Sequence, residues 1–378
     1  MSFENSELET NDLQEENNVS SETVSADTAM NKNGIYKMQW KAANAIGWRY
    51  ALFGIAVIAA QLIIGNAVAL FAPGFYSDNI VFVSLMLTLV SVDIIGVIAV
   101  FLLNLSLEKE KIEKPKMGFF LTLLIVILSI FLSAGLVGLG TLIGLPIHLL
   151  LTLPFGGDGS SDVAMLMLES NMFLRILVVG IGAPVFEELI FRKFLVDRTI
   201  KHGIFPAVFL SGIMFGLFHG NFQQFFFAMF IGWFFAYIYA KTGRVWITIL
   251  LHMVINMTSS VGTVFFTKQF LDATGNGTEA EIMMAMETNP FAVVGYLGWM
   301  CFLLLAVIFG LFLWIIVIFY ILYRVIFKKE EKTAPKYNVF KTALLCIGNF
   351  GFILFFMVTL FLFANSYLFP AITYFITK

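Results

Sequence analysis

The chain has 378 residues, of which 59% are hydrophobic, 16% aromatic and only 13% charged. A mean hydropathy of +0.89 excludes a water-soluble globule, and a net charge of -2 without a basic stripe argues against nucleic-acid binding. A hydrocarbon core about 30 Å thick takes roughly 20 apolar residues per helix, and runs of that length recur throughout, so the sequence predicts an all-α, polytopic bundle of about eight to nine transmembrane helices.

The first 35 residues hold eight acids (Glu4, Glu7, Glu9, Asp12, Glu15, Glu16, Glu22 and Asp27) against the single base Lys32. A stretch so rich in Glu, Asn and Ser buries too little apolar surface to offset its ordering entropy, which predicts a disordered acidic tail over 1–44. It has neither the basic start and short apolar core of a signal peptide nor a Met-Gly start for myristoylation. The first span is therefore expected to direct insertion.

Apolar runs place spans near 48–72, 80–104, 118–150, 173–196, 204–219, 222–240, 245–266, 293–323 and 343–369. Lysine and arginine alternate across these spans as the positive-inside rule requires. Lys32, Lys37 and Lys41 precede the first span, Lys109, Lys111, Lys114 and Lys116 follow the second, and Arg192–Lys201 follows the fourth. Lys241 and Arg244 follow the sixth and Arg324–Lys341 the eighth, whereas 155–172 has no Lys or Arg and 267–290 is mainly acidic. The expected protein is a multi-pass component of the cell membrane with a cytoplasmic N-terminus and the C-terminus outside. Run 118–150 contains Gly135, Gly138, Gly140, Gly144 and Pro146, which leaves one tilted helix or a helix plus a re-entrant piece open.

Cys301 and Cys346 both sit in apolar runs and suggest neither a disulfide framework nor a thiolate zinc site. There is no fixed-period repeat, no phosphate-binding glycine loop and no HExxH motif. Any chemistry must come from polar residues inside the spans, where each ionisable group costs at least about 2.5–3.5 kcal/mol.

Those groups concentrate between 183 and 256. In Glu187-Glu188-Leu-Ile-Phe-Arg192, Glu188 and Arg192 are four apart on one helical face and are placed to pair. Glu187 points about 100° away and is left without a partner on its own helix, which suits a group that takes and returns protons. The plainer alternative is a charge cluster with Lys193 at the membrane edge. Phe215-Gly-Leu-Phe-His219 sets a ring and an imidazole four apart, and His252-Met-Val-Ile-Asn256 does the same for a second imidazole and an amide. Packing histidines and interhelical amide glue are the plainer readings here. The chain has only four histidines, so this concentration on successive long spans favours a shared site.

These three motifs, EExxxR, FxxxH and HxxxN in that order, resemble those of the CAAX-protease and bacteriocin-processing (CPBP or Abi) family of intramembrane peptidases. The resemblance covers roughly 173–260. It implies a helical bundle around a polar cavity and hydrolysis of a peptide bond in a membrane-associated peptide or lipidated protein. By the same resemblance Glu187 would deprotonate water with help from His219, His252 and Asn256 would donate to the oxyanion, and Glu188, Arg192 and Phe215 would support them. This metal-free version needs no cofactor, and zinc stays open. A zinc version would use Glu187, His219 and His252, but an amide beside His252 suits oxyanion binding better than metal ligation.

The expected divisions are the 1–44 tail, N-terminal spans over 45–172, catalytic-core helices over 173–266 and C-terminal spans over 267–378. A rise of 1.5 Å per residue from Pro206 puts His219 about 20 Å deep, below Glu187, unless the fifth span is short or offset near Gly220. The competing functions are a non-catalytic immunity or regulatory protein with a membrane-protein partner, and a proton-coupled transporter using Asp93 in the second span. No internal repeat of the kind many carriers show supports the latter.

Overall fold

The computed structural model describes residues 4–156, 162–275, 277–327 and 338–377, and no strand occurs among them. The main helices are α1 (Glu4–Phe71), α2 (Ile80–Leu103), α3 (Phe119–Thr152), α4 (172–199), α5 (Ile204–Phe218) and α6 (Phe222–Thr242). They continue with α7 (Val245–Thr274), α8 (Glu279–Thr288), α9 (Pro290–Phe327), α10 (Val339–Ile347) and α11 (Phe350–Tyr374). Seven are long and apolar enough to cross a membrane, the crossing part of α1 being Gly34–Phe71. The shorter α5 and the irregularly wound α4 complete the expected all-helical, multi-pass bundle.

The sequence expectation and the structure differ at the N-terminus. No proline or glycine interrupts the chain before Gly34, and α1 is continuous from Glu4. Part of 34–44, assigned to the tail, is packed: Gln39 is buried, donates to the His202 carbonyl at 3.1 Å and accepts from Thr342 at 3.2 Å. The Lys341 ammonium lies 4.2 Å from the Tyr36 ring centroid.

The glycine-rich run folds as one helix, α3, with Pro146 inside it. Its glycines mark close helix approach: a Cβ on Gly140 would lie 2.3 Å from the Phe227 Cα of α6, and one on Gly135 2.6 Å from the Gly310 carbonyl carbon of α9. Without a hydrophobic force between helices in lipid, such small-residue faces permit the van der Waals packing that associates them.

Helix α5 is only 15 residues, about 22 Å, and ends where an offset fifth span was expected. Its C-terminus is turned by Gly220 at φ +67, where a Cβ would lie 2.5 Å from the Leu362 Cβ. Asn221 starts α6, its Oδ1 accepting from the Gln224 amide at 2.9 Å and its Nδ2 donating to the His219 carbonyl at 3.0 Å. The turn at 219–221 thus has its polar groups bonded within the protein, which is how irregular backbone is tolerated between spans.

The basic loops meet at one end of the bundle. The Glu110 amide donates to the Asp197 carbonyl at 2.7 Å, Lys201 pairs with Glu108 at 3.1 Å, and Arg244 donates to the Pro115 carbonyl at 2.8 Å. Lys193 and Tyr239 both reach the Asp197 carboxylate, each at 2.6 Å.

Candidate active site

The site is built where α4 lies between α2 and α7. Helix α4 is not a plain α-helix: it is π-wound over Ile176–Gly182 and Leu189–Phe194, with a regular turn, Ala183–Glu188, between them. Helix α2 is π-wound over Thr88–Ile95 and α7 over Met257–Gly262. Such widened turns recur at functional sites because they re-aim side chains and free backbone groups.

Three carbonyls of α4 bond to side chains of other helices. The Ile190 carbonyl accepts from the Tyr50 hydroxyl of α1 at 2.5 Å, and the Phe191 carbonyl from the Ser211 hydroxyl of α5 at 2.8 Å. Higher in α4 the Ala183 amide bonds to the Val178 carbonyl, so the next bond in that register would come from residue 184. Residue 184 is a proline without an N–H. The orphaned Val179 carbonyl instead accepts from Asn256 Nδ2 of α7 at 2.9 Å.

Glu188 and Arg192, both fully buried, form the ion pair expected from their spacing, Oε2 to Nε 3.0 Å. Arg192 is held over aromatic rings, its guanidinium carbon 4.5 Å from the Phe215 centroid and 5.7 Å from that of Phe235. The other Glu188 oxygen, Oε1, lies 3.0 Å from Nδ1 of the buried His252. A carboxylate can only accept, so the hydrogen of that bond sits on Nδ1, and Nε2 is turned the other way. It faces Glu187, whose Oε2 is 3.7 Å distant. Unlike Glu188, the Glu187 side chain keeps 15% of its surface accessible, so only the first carboxylate of the pair borders open space.

His219 joins the cluster through Phe215. The buried Phe215 ring stands edge-on to His219 at 4.9 Å and to His252 at 5.8 Å. His219 Nδ1 is 2.9 Å from the Phe215 carbonyl, and because a carbonyl accepts, Nδ1 carries the hydrogen and Nε2 keeps its lone pair. Spacing therefore revealed the Glu188–Arg192 pair and the Phe215–His219 stack, but not that His252 sits between the two glutamates. It also missed the bond of Asn256 to Val179.

Asp93 of α2 is the ionisable group that motif reasoning left outside the site. It is fully buried, it faces α4 at Gly182, where a Cβ would lie 3.7 Å from its Oδ2, and it interacts electrostatically with Glu187. Its only sequence signal is an acid in the middle of an apolar span. A zinc site does not fit: among the described residues no three His, Cys, Asp or Glu side chains come together in a way that would hold a metal ion.

Fold and site together define a polytopic membrane protein carrying a buried carboxylate, guanidinium and imidazole cluster on α4, α5 and α7. Residues 169–258, which contain all three motifs, match the family described as Rce1-like: Type II CAAX prenyl endopeptidase Rce1-like. The match bears out the resemblance drawn from the motifs. A Bacillus subtilis (strain 168) protein named "Putative membrane peptidase YdiL" is 29% identical over 102 residues, 27% of this chain and 42% of that protein. The similarity thus spans less than half of that relative's length. No solved structure matches the chain.

Proposed function

We propose that the protein is an intramembrane endopeptidase that hydrolyses a peptide bond in a membrane-associated protein or peptide, using water activated by Glu187. The observation that carries this reading is the division of labour between the adjacent acids. Glu188 is spent on Arg192 and His252, whereas Glu187 pairs with no arginine or lysine among the described residues and keeps an accessible edge beside the His252 ring.

In this mechanism the attacking water gives a proton to Glu187 as its oxygen bonds to the scissile carbonyl carbon. Glu187 then returns the proton to the departing nitrogen. His219 Nε2 has the lone pair to orient that water. His252 serves the oxyanion from Nε2, a role that requires the doubly protonated ring, and Glu188 fixes its orientation. Asn256 has two amide hydrogens. One is used on Val179, and the second is the one left for the oxyanion.

The convergence of the Lys- and Arg-rich loops at one end of the bundle supports a cytoplasmic N-terminus and a C-terminus outside. The divisions 1–44, 45–172, 173–266 and 267–378 remain a working description, with the packed part of α1 beginning before residue 44.

The test compares the protein termini found in membranes of cells producing the unmodified chain or its Glu187→Gln variant at equal abundance. New termini that depend on the unmodified chain support the peptidase reading. Identical inventories overturn it.

A further inference from the structure

Asp93 is a buried group that the mechanism above does not use. It lies in the π-wound turn Thr88–Ile95 of α2, is fully buried, and neither carboxyl oxygen has a hydrogen-bond partner; the neighbouring Ser91 hydroxyl has none either. The turn packs against Ile176–Gly182 and Ala183–Glu188 of α4. Gly182 faces Asp93: a Cβ added there would lie 3.7 Å from Oδ2, in ordinary van der Waals contact. Glu187 lies about one turn further along α4 and interacts electrostatically with Asp93.

An ionised carboxylate removed from water without donors is among the costliest groups a protein can hold, whereas a neutral carboxylic acid is tolerated and brings an O–H of its own. That O–H needs an acceptor. Glu187 is the acceptor within electrostatic reach, and it is the acid of the adjacent pair that Arg192 leaves unpaired.

We propose that Asp93 is a positioning residue of the site: its protonated carboxyl group donates a hydrogen bond, through one bridging water, to the Glu187 carboxylate. The bond fixes the orientation of Glu187 towards the open edge and lets two carboxyl groups share a water-poor space without both being charged. The catalytic meaning of this arrangement rests on the reading of Glu187 as the water-activating group. The hydrogen bond itself does not.

The experiment is infrared spectroscopy of the full-length protein in detergent micelles near neutral pH, comparing the unmodified chain with Asp93→Asn and Glu187→Gln. Both substitutions keep the side-chain shape, and thermal unfolding verifies that each variant is folded. The expected spectrum has a carbonyl stretch of a protonated carboxyl group that is lost in Asp93→Asn. In Glu187→Gln it shifts to higher wavenumber, because an amide oxygen is a weaker acceptor than a carboxylate. A band unaffected by Asp93→Asn overturns the proposal, and so does an Asp93-dependent band that Glu187→Gln leaves in place. Should the band behave as expected while Glu187→Gln membranes keep the same set of protein termini, the hydrogen bond stands and the peptidase reading falls.

Discussion

His252 Nδ1 lies 3.0 Å from Glu188 Oε1 across 64 residues of sequence, and this bond orients the whole site. It fixes the imidazole so that Nε2 faces Glu187, and it makes Glu188 the bridge between the Arg192 guanidinium and the His252 ring.

Breaking that bridge from the arginine side leaves a carboxylate buried without its cation. Arg192→Met is expected to destabilise the protein by about 3–5 kcal/mol, as removal of one partner from a buried ion pair does. The double variant Arg192→Met with Glu188→Gln should recover much of this loss, because the uncompensated charge is gone. Unfolding of the purified variants in detergent checks both.

Glu187→Gln separates chemistry from architecture. The substitution keeps shape and polarity, and Glu187 anchors no ion pair with an arginine or lysine among the described residues. Cleavage should fall by at least about 100-fold, the scale of lost general-base catalysis, with the unfolding midpoint little changed. Quantifying a product terminus found in the membrane comparison gives the rate.

Asn256 is tied to the gap that Pro184 leaves in α4. Asn256→Leu should cost about 1–3 kcal/mol, since the half-buried Val179 carbonyl then loses its donor. In a Pro184→Ala background, where an N–H is restored to the register, the same substitution should cost less. A double-mutant cycle on unfolding free energy measures the coupling. Equal costs in the two backgrounds would show that the proline is not the reason for the bond.

Gly220→Ala is expected to destabilise the α5–α6 turn by about 1–3 kcal/mol, the scale for a strained backbone position, through its positive φ and the close approach of Leu362. Because the turn follows His219 directly, its activity should fall more than that of a control substitution of equal stability cost on the lipid face of α9. Cleavage and unfolding measured on the same preparations compare the two.

The spans were legible in the sequence because length and hydropathy decide them, and the Glu188–Arg192 pair because one helical turn joins its members. The three motifs named the residues of the cluster but not their contacts. Nothing in the 63 intervening residues says that His252 meets Glu188, or that Phe215 stands edge-on to both histidines. Those relationships depend on how α4, α5 and α7 are wound and packed, and π-wound turns do not announce themselves in a periodicity of apolar residues. Pro184 was the local signal for the Val179–Asn256 bond, readable only once α7 is known to lie beside it. The boundary at residue 44 was drawn from the start of the first apolar run, and it left in the tail Tyr36 and Gln39, which find partners near the basic end of the bundle.

The central claim is that Glu187 activates water for peptide-bond hydrolysis, and the membrane comparison between the unmodified chain and Glu187→Gln tests it most directly. The account predicts at least one protein terminus generated only with Glu187 intact and missing also in His219→Ala. The same set of termini in all three membranes, at matched levels of folded protein, would contradict it.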